Sequence, residues 1–464
     1  MLAFHSGGFF DRPRLIAAVV AWALVAVVAL TAEQPLPRSG PGRLALAGLA
    51  LLFLWTVASY EWAPLRERVQ HDAERLLLYL GYFLAALALM RERWLYRALE
   101  PLLVLGVLIT SVYGLSERLF PALLEFDRSR TAAGRLEQPL TYWNAVGALG
   151  AIGAILAMRV AGDPRRPTGV RAAAAAGGVP IGFAAYLSFS RGALAAVAAG
   201  VVLLLALAPE TRSQLRAIGA VLLATAAAAL VAAALPTVRS LERGEQGDAS
   251  QGLVMFAALI VLSGVSAAVA LYRSESPAHP RAPFGRRRLV LAGGAIAVVG
   301  AVLAVALLEA QPRAVSPEAG ANPARLGSFD SNRYQYWEVA VDLAEAQPIT
   351  GAGSGAFFVE WRRRRERVDQ ASDAHSLYIE TAAELGLVGL CFLFLFLGAV
   401  LVAGLRLLRA DAAAAAGPLA ALAAWAVHAG LDWDWEMPAV TLPALLLAAS
   451  LVAWSEDGPH QAIW

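Results

Sequence analysis

The chain contains no lysine, so all 38 of its Lys-or-Arg positions are arginine. That excludes Schiff-base chemistry and the lysine of a phosphate-binding loop. Exclusive use of arginine also follows from GC-rich coding, a reading that the abundance of alanine favours. Cysteine is nearly absent as well. The single Cys391 lies in an apolar run, so there is no intramolecular disulfide and no cysteine metal site. Charge is scarce: 16% of the 464 residues are charged and 58% are hydrophobic, with a mean hydropathy of +0.58. A soluble domain of this size has no interior large enough to hide so much apolar side chain, and a polytopic membrane protein remains. The formal net charge of +2 gives no reason to expect a nucleic-acid partner. Leu15 to Leu30 is apolar but no small-residue cleavage site follows it, so it reads as a retained first helix.

A hydrocarbon core of roughly 30 Å needs about 20 apolar residues in helix. By that gauge the expected spans are 15–31, 44–60, 75–90, 98–115, 141–160, 173–189, 191–208, 216–236, 252–272 and 288–309, followed by 383–408, 412–430 and 438–454. The fold expected is an all-α polytopic integral membrane protein of about 12–13 transmembrane helices, with one large extracytoplasmic loop containing short helices. It divides into an N-terminal bundle over 1–310, the loop over 311–375 and C-terminal helices over 376–464. Arg165, Arg166 and Arg171, then Arg212 and Arg216, then Arg273, Arg281 and Arg286 to Arg288, then Arg406 and Arg409 fall on one side if the spans alternate. Positive charge in short loops marks the cytoplasm, which puts the long loop outside. Thirteen alternating spans then place the N-terminus outside too, together with Arg12 and Arg14, against the same rule.

The long loop is the polar exception in the chain. Tyr334, Trp337, Val341 and Ala344 recur at helical spacing and predict an interfacial helix that ends before Pro348. The basic run Arg362 to Arg365 beside Trp361 reads as a solvated or headgroup-facing surface. Ala-rich patches at 172–176 and 412–416 suit tight helix packing.

Three residues stand out chemically. Arg191, in Ser188-Phe189-Ser190-Arg191-Gly192, joins two spans with almost no loop. An arginine at membrane depth costs about 2.5–3.5 kcal/mol, so it either snorkels to headgroups or clamps a phosphate with its planar guanidinium. Arg333, just before the amphipathic stripe, is either a surface arginine or points into the same mouth. His375 follows Asp373, which reads as the N-cap of the next helix; the imidazole then lies in a first turn, where the helix dipole disfavours its cation. A neutral imidazole accepts a proton from a hydroxyl. Asn144, in Tyr142-Trp143-Asn144-Ala145, either bonds substrate or caps a helix. His428, Asp432, Asp434 and Glu436 either bind an acceptor sugar, supply an alternative base or solvate a turn. A metal site from His375, His428 and Asp432 lacks close ligand spacing.

Together these pieces resemble the O-antigen ligase and O-antigen polymerase superfamily. The carrying features are Leu187-Ser188-Phe189-Ser190-Arg191-Gly192-Ala193 between two spans and an arginine four before a tryptophan at Arg333 and Trp337. They continue with Pro348-Ile349-Thr350-Gly351-Ala352-Gly353, Ala374-His375-Ser376-Leu377-Tyr378 and Glu384-Leu385-Gly386-Leu387-Val388-Gly389. The likeness covers roughly 130–450, and one departure is Ser376, where the family usually shows asparagine. The resemblance implies a metal-independent, cofactor-free glycosyltransferase of the plasma membrane of a bacterium. Its donor is a glycan on undecaprenyl diphosphate and its acceptor a lipid, glycan or protein hydroxyl, joined on the extracytoplasmic face. It implies that Arg191 and Arg333 bind the diphosphate and that His375 assists the acceptor hydroxyl. Asn144, Tyr334, Trp337, Tyr378 and Asp432 are the accompanying candidates for substrate contacts. Two arginines neutralise a diphosphate without a metal, and Gly351, Gly353 and Gly355 suggest a mobile loop that closes over it. The competing class is a transporter or flippase of lipid-linked sugars, which would carry polar groups near the midplane. Here the span centres are nearly free of charge, and the expectation is that Arg191, Arg333 and His375 converge on one outward cavity.

Overall fold

A computed structural model of the protein describes residues 1–32, 35–92, 94–272, 320–322, 333–365 and 371–457. Among them every regular element is helical. The order is α1 (Asp11–Thr31), α2 (Gly40–Ala58), α3 (Arg66–Leu89), α4 (Leu95–Leu119), α5 (Trp143–Gly162), α6 (Thr168–Leu187), α7 (Arg191–Leu207), α8 (Thr211–Ala233), the single turn α9 (Pro236–Arg239) and α10 (Ala249–Leu271). The short α11 (Arg333–Ala346) and α12 (Ala356–Arg364) precede α13 (Leu377–Ala410), α14 (Ala412–Ala429) and α15 (Pro438–Asp457). Ten helices among the described residues are long and apolar enough to cross a membrane. Of the other two expected spans, α3 is long but opens on charged turns, and α7 is apolar but has only 17 residues. The protein is an all-α polytopic membrane protein. The expected span 288–309, with Arg273, Arg281 and Arg286 to Arg288, lies outside the described residues.

α5 forms the centre of the bundle and is enclosed by protein along its whole length. Glycine every third residue makes that possible. A Cβ on Gly147, Gly150 or Gly153 would lie 2.8 Å from Ala193, 2.9 Å from Ala185 or 2.5 Å from Val107, so α7, α6 and α4 pack close against its backbone.

The two ends of the bundle differ. At one, the fully buried Arg159 pairs with Asp163 at 3.3 Å and Glu210 at 3.2 Å and donates to the Ala413 carbonyl at 2.9 Å. Arg165 bonds Asp163 at 2.9 Å, and Arg166 pairs with Glu100. Buried charges persist only when paired in this way. The opposite end carries α11, α12 and the candidate site. α1 and α3 run parallel, with Arg14 against Glu74 at 3.1 Å and Trp22 donating to the Leu77 carbonyl at 3.1 Å. The start of α1 therefore lies at the site end. Arg14 is accommodated there because Asp11, at 2.8 Å, and Glu74 neutralise it.

α13 is interrupted at Gly386 (φ 64°, ψ −165°), and the interruption is filled by the glycine turn that precedes α12. The carbonyls of Ala383 and Glu384 accept from the N–H groups of Ala352 (2.9 Å) and Gly353 (2.8 Å). That of Leu385 accepts from the Trp55 indole at 2.9 Å. In return the N–H groups of Leu387 and Val388 donate to Pro348 at 2.8 Å and Ile349 at 3.2 Å, so the broken ladder is re-satisfied in both directions. The Glu384 carboxylate adds bonds from the N–H groups of Gly355 (2.8 Å) and Phe357 (3.1 Å). This corrects the expectation of a mobile closing loop. Gly351 and Gly353 have positive φ because a Cβ there would lie 2.3 Å from the Glu384 backbone and 2.4 Å from Ala63. They serve close packing.

α11 ends before Pro348 as expected, but its buried face is set by Tyr336, Val339 and Ala340, whereas Val341 is exposed. Tyr336 joins Phe357 and Trp361 of α12 in a small core outside the bundle, which rotates the helix away from the anticipated stripe.

Candidate active site

His375 does not lie in the first turn of α13. Ser376 is the N-cap, its hydroxyl accepting from the Ile379 N–H at 3.5 Å, and Asp373 stands three residues further out. The reason is the backbone of His375 itself, left-handed at φ 58°, which cannot continue a helix. The dipole argument for a neutral ring therefore loses its geometry. A local contact takes its place: Nδ1 lies 2.9 Å from the Asp373 carbonyl, so Nδ1 carries the proton and the base electron pair is on Nε2. The ring packs against Tyr336 (5.1 Å between centroids) and Trp433 (6.1 Å).

Arg333 opens α11 and donates to the carboxylate of the fully buried Asp432. Burial alone favours the neutral guanidine, but Asp432 outweighs it and holds Arg333 charged beyond its ordinary range. Conversely, burial opposes the charge on Asp432, while Arg333, His375 and His428 keep its carboxyl below the usual range. Asp432 also accepts from the Tyr142 hydroxyl at 2.7 Å and the Trp433 N–H at 2.9 Å. The Asn144 amide donates to Tyr142 at 2.8 Å, so Asn144 acts on this centre through a tyrosine.

Arg191, half-buried, is the first residue of α7. The preceding Ser190 is the N-cap, its Oγ accepting from the Ala193 N–H at 3.2 Å. The same Oγ lies 3.4 Å from His428 Nε2, and His428 Nδ1 lies 2.5 Å from Asp434. The short stretch 428–434 thus meets the α7 N-terminus through His428, Arg333 through Asp432, and the His375 ring through Trp433.

Tyr334 and Trp337 stack edge to face on α11 at 5.6 Å, and Trp337 packs on the small outer core. Tyr378 donates to the Ala426 carbonyl at 2.9 Å and stacks on Phe394, which ties α13 to α14. A cavity of about 590 Å³ opens beside His375, walled by Phe9, Tyr142, Trp143, Tyr336 and Trp433, with Ser129, Thr131 and Thr141 supplying hydroxyls. The indole N–H groups of Trp143 and Trp433 meet no acceptor among the described residues. A larger cavity of about 720 Å³ lies at the arginine-paired end around Arg165 and Arg166 and contains none of the candidate residues.

Beneath His375 sits an acidic cluster. Asp373, Glu380 and Glu436 offer oxygens within 4.8 Å of one another, and Arg75 bonds Asp72 at 2.8 Å and Glu436 at 3.2 Å. Burial, with neighbouring carboxylates, pushes Asp373 up to about 6 and Glu436 up to about 8, so Glu436 holds its proton at neutrality while Asp373 gives its own up just below.

Residues 249–394 match the family model described as O-antigen ligase. Over that stretch, about a third of its length, the chain is similar to the O-antigen ligase family. No curated protein matches the chain. The segment that carries the family likeness contains Arg333, the glycine turn, His375 and the break at Gly386, while Arg191, Asn144 and Asp432 lie outside it. The family match, with the multi-pass helices, supports a membrane function of the glycan ligase or polymerase type. Sequence reasoning passed over Tyr142, Trp433, Asp72 and Arg75, and so the ion pairs that Arg75 makes with Asp72 and with Glu436. The one available signal was the charged opening of α3 ahead of an apolar helix.

Proposed function

We propose that the protein transfers a glycan from an undecaprenyl-diphosphate carrier to an acceptor hydroxyl at the outer face of the bacterial plasma membrane, without a metal or cofactor. The observation that carries the reading is the meeting of Arg333, His375 and the α7 N-terminus on the stretch 428–434. Arg191 and Arg333 bind the donor diphosphate. Arg333 shares its fork between Asp432 and a phosphate oxygen, a geometry a guanidinium suits. The acceptor oxygen attacks the anomeric carbon, and His375 Nε2 takes its proton. The bond from that carbon to the diphosphate oxygen breaks, and its electron pair leaves on the carrier diphosphate, whose growing charge the two arginines stabilise. One inverting displacement needs no enzyme nucleophile.

The cavity beside His375 supports an acceptor that is itself a sugar. Its aromatic walls stack on sugar faces, and the hydroxyls of Ser129, Thr131 and Thr141 suit a sugar's polar groups. The test is release of undecaprenyl diphosphate by the purified protein in nanodiscs, with and without a glycan acceptor. Acceptor-dependent release supports the reading, whereas an intact donor across a panel of acceptors contradicts it.

A further inference from the structure

Ser190, His428 and Asp434 form a buried line that the transfer chemistry leaves unused, at 4%, 0% and 1% exposure respectively. Asp434 lies 2.5 Å from Nδ1 of His428, which fixes a proton there, and Nε2 lies 3.4 Å from the Ser190 hydroxyl. Ser190 Oγ also accepts from the Ala193 N–H at 3.2 Å. His428 also abuts the first turn of α7, where a Cβ on Gly192 would lie 3.1 Å from Nε2. The line therefore connects the turn after α14 to the N-cap of α7, one residue before Arg191. Two residues earlier in the same turn, Asp432 holds Arg333.

Resting on the diphosphate reading above, we propose that Ser190, His428 and Asp434 are positioning residues that set the distance between the two arginines and so the affinity for the lipid diphosphate. The order serine, histidine, aspartate resembles a nucleophile with its base, but the geometry argues for a strut. The serine oxygen is occupied as a helix cap, where Ser is the favoured residue.

The experiment is equilibrium binding of undecaprenyl diphosphate to the full chain in nanodiscs, with transfer kinetics measured in parallel. Asp434→Ala and His428→Ala weaken binding about tenfold, equivalent to about 1.4 kcal/mol, and raise the donor KM by the same factor while kcat stays within about threefold. Asp434→Asn, which keeps a hydrogen bond to the ring, restores most of the affinity. The pair Ser190→Ala with His428→Ala is no worse than His428→Ala alone, since both break one strut. Ser190→Ala removes a single hydroxyl and carries the test if the larger truncations fail to fold. Unchanged binding in Ser190→Ala overturns the proposal. So does a collapse of kcat at unchanged KM in Ser190→Ala and Asp434→Asn, which is the signature of a nucleophile and its relay. A wild-type chain that binds the diphosphate but transfers nothing refutes the function proposed above and leaves the affinity ratios to decide this one. A wild-type chain that does not bind it refutes both.

Discussion

Arg333 and Asp432, 99 positions apart, form an ion pair in which the carboxylate is sealed from solvent and the guanidinium is not: their side chains are 1% and 21% exposed. This asymmetry sets what each substitution does. Arg333→Ala strands a buried charge and lowers stability by about 3 kcal/mol, whereas Asp432→Asn leaves a cation that reaches water and costs less. Thermal denaturation in nanodiscs checks the order, and equal losses contradict it.

His375 combines a proposed chemical role with a left-handed backbone. His375→Ala reduces transfer at least about 100-fold, as expected for loss of a general base, with diphosphate binding retained. His375→Gly is equally inactive yet about 1 kcal/mol more stable than His375→Ala, because only glycine adopts the left-handed conformation without penalty. A less stable glycine variant would show that the loop does not hold this geometry.

The acidic cluster predicts a pH dependence of stability. Asp373 titrates near 6 and Glu436 near 8 in the folded chain, against about 4 when unfolded. Between those values the folded chain holds more protons than the unfolded one, so stability falls as pH rises from about 4 through 8. Asp373→Asn removes the lower part of the fall and Glu436→Gln the upper part. Denaturation midpoints across pH 5 to about 9 test this, and a rise over that window in the wild type refutes it.

The clamp between the glycine turn and α13 predicts opposite outcomes for two glycines of one helix. Gly386→Ala places a Cβ 2.3 Å from the Ile349 carbonyl in a conformation open to glycine alone, and destabilises by about 3 kcal/mol. Gly398→Ala, with nothing within 4 Å, is neutral or stabilising by up to about 1 kcal/mol. Similar losses at both positions would remove the clamp from the account.

The proposed sidedness is open to labelling. Arg363 is 72% exposed near the end of α12, at the site end of the bundle. In a Cys391→Ser background, Arg363→Cys in spheroplasts reacts with a membrane-impermeant maleimide before lysis. Reaction only after lysis places the site inside.

The spans were legible because a continuous apolar helix leaves an unambiguous mark, and twelve of the thirteen expected ones have a helix among the described residues. Arg191 stood out as an isolated polar residue between apolar runs, and Arg333 and His375 as candidates within the polar loop. Their surroundings were not legible. Asp373 and Ser376 are both good caps, and only the left-handed turn at His375 selects the serine. Glycines that permit close packing look like glycines that permit motion until the Gly386 break appears against them. The contact of Ser190 with His428 spans 238 positions, and neither residue announces the other.

The most direct test of the central claim is undecaprenyl diphosphate release from a lipid-linked glycan donor by wild type, His375→Ala and Arg191→Ala, each with excess chelator. The account predicts chelator-resistant release by the wild type and loss in both variants, through turnover in the first and donor affinity in the second. Release that persists in both variants, or that stops on adding chelator, would contradict it.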